Sequence, residues 1–121
     1  MILHLVLFTP RAGLPVEERQ AFGEALERAL ASIPSVRGYR VGRRFRTGAD
    51  YDELPGDYEY CGVIEFDNRE GLQQYLGHPA HQELGRLFYT TASSAFAADF
   101  DAVDAAPAAA LARWSWRTSA V

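Results

Sequence analysis

The sequence predicts an α+β domain in which four strands and two helical regions follow the order β-α-β-β-α-β. Three observations carry that prediction. Residues 2–9 form a run of Leu, Ile, Val and Phe that is apolar on both sides, as a strand covered on both faces requires. In the next segment Phe22, Leu26, Ala29, Leu30 and Ile33 recur at helical spacing, with Glu, Arg and Gln between them. Further on, Tyr58, Tyr60, Gly62, Ile64 and Phe66 alternate with Glu59, Cys61, Val63 and Glu65, the period-two pattern of a strand.

The elements follow in order. The first strand ends at Thr9-Pro10-Arg11-Ala12-Gly13, a turn sequence. A long amphipathic helix is expected over 15–32, because Pro15 suits a first helical turn and Glu17 and Glu18 suit its positive end. Pro34 stops it, since the residue before a proline is pushed out of the α region. Residues 36–46 read as a strand with Arg40, Arg44 and Arg46 on one face and Tyr39, Val41 and Phe45 on the other. Residues 47–57, rich in Gly, Pro and acidic side chains, read as a surface loop. The third strand spans 58–66. Asp67-Asn68-Arg69-Glu70, with Glu three residues after Asp67, offers a capping box for a short helix ending near Tyr75 or Leu76. His78-Pro79 breaks the chain, a further helix runs from Pro79 to about Thr91, and the fourth strand covers 94–103.

This order is the split-βαβ arrangement of the ferredoxin-like group. Helices on one face leave the other face of the sheet open, which a two-sided apolar first strand does not tolerate. Face-to-face pairing of two sheets in a symmetric homodimer covers it.

At 121 residues the chain suits one domain, expected over 1–104. Residues 105–121 change character: an Ala-rich stretch leads into Trp114 and Trp116 at alternate positions, and an extended tail would lay both indoles on one surface. No apolar run approaches the ~20 residues of a membrane helix. The apolar opening also lacks the basic leader and cleavage site of a signal peptide. A cytoplasmic protein without a membrane partner is expected. Cys61 is the one cysteine, so neither an internal disulfide nor a thiolate metal cluster is expected. All twelve basic residues are Arg, which excludes Schiff-base lysine chemistry and lysine phosphate loops. A net charge of −4 argues against a nucleic-acid partner.

Candidate chemistry centres on Tyr75-Leu76-Gly77-His78-Pro79-Ala80-His81. His81 falls in the first turn of a helix opened by Pro79, where the positive helix end disfavours imidazolium and leaves a neutral base. Removal of a proton next to a carbonyl needs such a base, and the developing oxyanion needs a donor, which the Tyr75 phenol supplies. The bland alternative is that His81 caps a helix or bonds a backbone carbonyl while Tyr75 closes the core. His78, before proline, reads as the residue that opens the helix. His4 shares a strand face with Val6 and Phe8 and is either a satisfied core histidine or a ligand contact. With helices over that face, Phe22, Leu26, Ile64, Leu84 and Phe88 complete an apolar pocket. Tyr60 adds a polar tip and Gly62 some space, and Ala92, Ala95 and Ala97 hint at room beside it. The alternative is a filled core. The three histidines lack a carboxylate or cysteine at a recognisable ligand spacing, so no metal is expected.

Leu3-His4-Leu5-Val6-Leu7-Phe8, Ile33-Pro34, Val63-Ile64-Glu65-Phe66, the Tyr75–His81 element and Asp99-Phe100 occur in this order over roughly residues 2–103. In that order and spacing the chain resembles the stress-responsive A/B barrel, or Dabb, family of dimeric α/β barrels. The resemblance implies a homodimer whose best-understood enzymatic relative, a plant polyketide cyclase, performs an intramolecular aldol condensation without a cofactor. Carried over by position, it implies catalytic roles for Tyr75 and His81 and a pocket contact for His4. The cyclase has a histidine where this chain has Tyr60, and a tyrosine where it has Leu26. The expectation is a cofactor-independent acid–base enzyme on a small hydrophobic, polyketide-like carbonyl. The alternatives are a non-catalytic stress-responsive or ligand-binding dimer, and a cofactor-free monooxygenase.

Overall fold

A computed structural model describes residues 1–103 and 107–114 of the chain. Strand β1 (Ile2–Pro10) leads into helix α1 (Val16–Ser32), then β2 (Gly38–Arg43) and β3 (Tyr60–Phe66). Helices α2 (Arg69–Gly77) and α3 (Pro79–Thr91) precede β4 (Ala92–Asp101) and a short α4 (Pro107–Arg113). The strands form one antiparallel sheet in the order β2-β3-β1-β4. The α+β, ferredoxin-like arrangement expected from the sequence is the one observed.

Local chemistry sets the element ends. Pro15 precedes the first turn of α1 rather than sitting in it, and its carbonyl accepts from Arg19 N at 3.1 Å. The α2 cap is Asn68, whose side chain accepts from Gly71 N at 2.9 Å. Asp67, the expected cap, instead takes a 2.7 Å bond from Arg37 Nε. His78 caps α3 through its own Nδ1, which accepts from Ala80 N at 3.0 Å, with Pro79 following as the first helical residue. The chain passes from α3 into β4 without a loop, so β4 starts and ends two residues before its expected bounds.

Strand β2 is shorter than expected at both ends, and Arg44 and Arg46 lie beyond it. Both reach Asp57, at 2.7 and 2.6 Å. They tie down the foot of the 47–57 loop, which itself carries a 3-10 turn at Asp50–Glu53. After the main domain, Pro107–Arg113 is helical with Ala110 buried, and alanine's high helix propensity accounts for it. The expected extended tail is therefore not what residues 107–113 form. Trp116, and the boundary at 104 and 105, lie outside the described residues.

The two faces of the sheet differ. On one, Ile2, Ile64 and Phe66 pack with Ala25, Ala29, Leu30 and Ile33 of α1 and its end, and with Leu72, Tyr75 and Leu84. On the other, the alternation of side chains puts Leu3, Leu5 and Leu7 beside their register partners Phe100, Ala98 and Phe96 on β4, with Val63 of β3 opposite Leu5. Phe96 and Phe100 are 47% and 49% exposed.

Candidate functional site

Between the sheet and helices α1 and α3 lies a cavity of about 530 Å³, almost wholly apolar in its lining. The even positions of β1 supply His4, Val6 and Phe8, and their register partners on β3 supply Ile64, Gly62 and Tyr60. From α1 come Phe22 and Leu26, and from α3 Leu84 and Phe88. Phe8 packs edge-on against Phe22 and Phe88, with ring centroids at 5.7 and 5.3 Å, and stacks on Tyr60 at 5.5 Å. The structure thus gathers all eleven residues expected at a site, Tyr75 and His81 included, around one cavity. Of the three alanines on β4, Ala97 alone lines it.

Polar groups converge at one end. Tyr75, in the last turns of α2, is 1% exposed. Its ring meets Phe66 at 5.2 Å, His81 at 4.6 Å and His4 at 5.9 Å. Burial pushes the phenol up to about 12, so it is a neutral donor throughout the ordinary range. No protein group among the described residues bonds its hydroxyl, which borders the cavity.

His81 sits in the first turn of α3, brought there by the His78-Pro79 start. Its Nδ1 is 3.2 Å from the carbonyl oxygen of Leu76. A carbonyl only accepts, so Nδ1 carries the proton and Nε2 keeps a lone pair. The imidazole is held below its usual range chiefly by burial, against the opposing effect of the Leu76 bond, with a smaller lowering contribution from His4. His81 therefore bonds a backbone carbonyl at the end of α2, and no hydrogen bond to its Nε2 is formed among the described residues.

His4 is buried, and its Nδ1 lies 2.5 Å from Asp99 Oδ1. The carboxylate fixes the ring and leaves Nε2 as the remaining polar atom. His78 is occupied with capping and lies outside this group. Among the described residues no group of three or more His, Cys, Asp or Glu side chains is placed to hold a metal ion.

Sequence reasoning missed Asp99, Leu30 and Arg19. Leu30 and Arg19 were findable, since Arg19, Phe22, Leu26 and Leu30 lie at successive three- and four-residue steps along one face of α1. Tyr39 and Val41 of β2 also border the cavity, on the strand face opposite Arg40. Asp99 carried a weaker signal: it shares the small-residue face of β4 with Ala95 and Ala97.

The model of the stress-responsive A/B barrel domain matches residues 2–102. Among solved structures, a dimeric protein of unknown function from Bacteroides fragilis is 30% identical, with 83% of this chain and 94% of that one covered and a TM-score of 0.61. A hydroxynitrile lyase from Passiflora edulis is 11% identical over 88% of this chain and 96% of its own, at a TM-score of 0.71. A cofactor-independent oxygenase from Streptomyces nogalater, in a mutant form, is 15% identical over 88% and 96%, at 0.63. The last two likenesses are of fold. No curated protein matches the sequence, and no helix among the described residues is long and apolar enough to cross a membrane.

Proposed function

The chain belongs to the stress-responsive A/B barrel family, and from that premise we propose that it is a cofactor-independent acid–base enzyme acting on a small hydrophobic carbonyl compound. The observation that carries this reading is the Tyr75–His81 contact, with ring centroids 4.6 Å apart, in the lining of the apolar cavity. A lone-pair nitrogen and a neutral phenol there form the base and the oxyanion donor that enolisation requires.

His81 Nε2 takes a proton from the carbon next to the carbonyl, and the electron pair of that C–H bond moves into an enolate. The Tyr75 hydroxyl donates a hydrogen bond to the enolate oxygen. In a substrate with a second carbonyl, the enolate carbon attacks it to form a new C–C bond. The resulting alkoxide recovers the proton from His81. This is an aldol-type cyclisation, the finer form of the proposal. His4, fixed by Asp99, presents a second polar nitrogen to the same end. The apolar walls exclude water from the enolate.

The working form is a homodimer, supported by the open Leu3-Leu5-Leu7-Phe96-Phe100 face and by the dimeric Bacteroides fragilis relative. Cyclisation of a linear poly-β-ketone, followed with wild type, His81→Ala and Tyr75→Phe, tests the reading. Loss of rate in both variants supports it. Equal rates in all three overturn it in favour of a ligand-binding dimer, and oxygen uptake with a phenol or quinol substrate would instead favour oxygenase chemistry.

A further inference from the structure

The cavity is not uniformly apolar along its length. Its lining holds no carboxylate and one permanent charge, Arg19 of α1. The sequence denies Arg19 an ion-pair partner on its own helix. Positions three and four residues away are Pro15, Val16, Phe22 and Gly23, so none of the usual helical pairings is open to it. Neighbouring arginines differ: Arg11 holds Glu18 at 3.1 Å and Arg28 holds Glu83 at 3.0 Å. Arg19 has no such partner among the described residues.

Its place relative to the acid–base pair follows from the packing. The Arg28–Glu83 bond sets the C-terminal third of α1 level with the first turns of α3. The Phe22–Phe88 contact, at 6.1 Å, sets the N-terminal half of α1 level with the end of α3. The helices are thus antiparallel. His81, in the first turn of α3, thus lies towards the Leu30 end of the cavity lining and Arg19, near the start of α1, towards the opposite end. His4 to Phe8 spans roughly 13 Å of strand, and the step from Phe22 to Arg19 adds about 5 Å of helix.

We infer that Arg19 is a specificity-determining residue, which binds the anionic end of an elongated substrate whose carbonyl lies at Tyr75 and His81. The ligand class is a linear apolar molecule on the order of 15 Å long carrying a terminal carboxylate. The guanidinium recognises a carboxylate by paired charge-assisted hydrogen bonds, and the apolar walls between the two ends take the chain. This deepens the acid–base reading and rests on it for the position of the carbonyl.

The test is calorimetric titration of the full chain with dodecanoate and with methyl dodecanoate, for wild type, Arg19→Gln, Arg19→Glu and His81→Ala. Wild type and His81→Ala bind the acid about tenfold more tightly than the ester, as one charged hydrogen-bonded contact gives. Arg19→Gln binds both alike, with ester affinity unchanged, and Arg19→Glu disfavours the acid. Equal affinities in wild type, a preference that survives Arg19→Gln, or binding of neither probe overturns the inference. If wild type prefers the acid yet does not accelerate proton exchange at a ketone α-carbon, the acid–base reading alone is refuted.

Discussion

His4 and Asp99 are cross-strand partners in the β1–β4 register, and their side chains meet at 2.5 Å between Nδ1 and Oδ1. The histidine is buried while the Asp99 side chain is 44% exposed, so the pair is a surface carboxylate anchoring an interior imidazole. Its worth lies in orientation more than in charge–charge attraction, which solvent screens at that exposure. Asp99→Asn is therefore expected to leave stability within about 1 kcal/mol of wild type while lowering turnover of a carbonyl substrate. Asp99→Ala removes the acceptor and leaves a buried ring nitrogen unpaired, at a cost of about 1–3 kcal/mol. Urea unfolding of both variants, alongside their rates, checks this. A rate unchanged in Asp99→Asn would remove His4 from the site's chemistry.

With His81 as the proposed base, its protonation is expected to set the acid limb of activity. Burial holds its imidazole below 6.5, and only the neutral ring accepts a proton. The rate is therefore expected to be flat through neutral pH and to fall in acid with an apparent value below 6.5. Stability has the same sign. The unfolded chain binds a proton at His81 that the folded chain resists, so this contribution is complete above 6.5 and is lost as pH falls through the folded value. A pH–rate profile with its acid limb at or above 6.5 would contradict the assignment of His81 as base.

Tyr75 acts in the opposite direction. Its phenol is raised from 10.0 to about 12, so its contribution is present below pH 10 and is lost as pH climbs towards 12. A shift of that size corresponds to about 2–3 kcal/mol. Tyr75→Phe keeps the ring contacts with Phe66 and His81 and removes the titration. The variant is expected to lose stability less steeply than wild type between pH 10 and 12 in denaturant titrations. Identical alkaline slopes would mean that the hydroxyl is more exposed to water than its burial implies.

The open face of the sheet predicts the oligomeric state. Leu5 lies between Val63 and Ala98 in the register, at the centre of that face. Leu5→Glu would place a charge on the face proposed to pair in the homodimer, and is expected to yield monomers in sedimentation velocity. A wild type that sediments as a monomer would remove the homodimer from the account.

Much of this was legible in the sequence, for identifiable reasons. The period-two pattern of 58–66 and the Phe22–Leu26–Leu30 stripe report burial directly, so the strands, α1 and the cavity walls follow from local spacing. Tyr75 and His81 lie in one short motif whose His78-Pro79 break is itself a structural signal. What spacing did not reveal depends on contacts across the chain. The His4–Asp99 pair joins residues 95 positions apart, and only the strand register brings them together. Asp67 and Asn68 are both competent caps, and the choice between them turned on Arg37, which engages Asp67 from outside the helix. The Arg44 and Arg46 pairing with Asp57 shortened β2 in a way that alternation alone does not report.

The central claim, that Tyr75 and His81 together abstract and stabilise, is tested most directly by proton exchange at carbon. The methyl-ketone probe 2-decanone, incubated in deuterium oxide near neutrality and followed by proton NMR, is expected to lose its α-hydrogens faster with wild type than in buffer. His81→Ala should reduce that acceleration by about 10²–10⁴-fold, the usual contribution of a positioned base. Tyr75→Phe should reduce it by about 10²–10³-fold, as loss of an oxyanion donor does. Exchange at the buffer rate with wild type, or acceleration equal in all three proteins, would contradict the account.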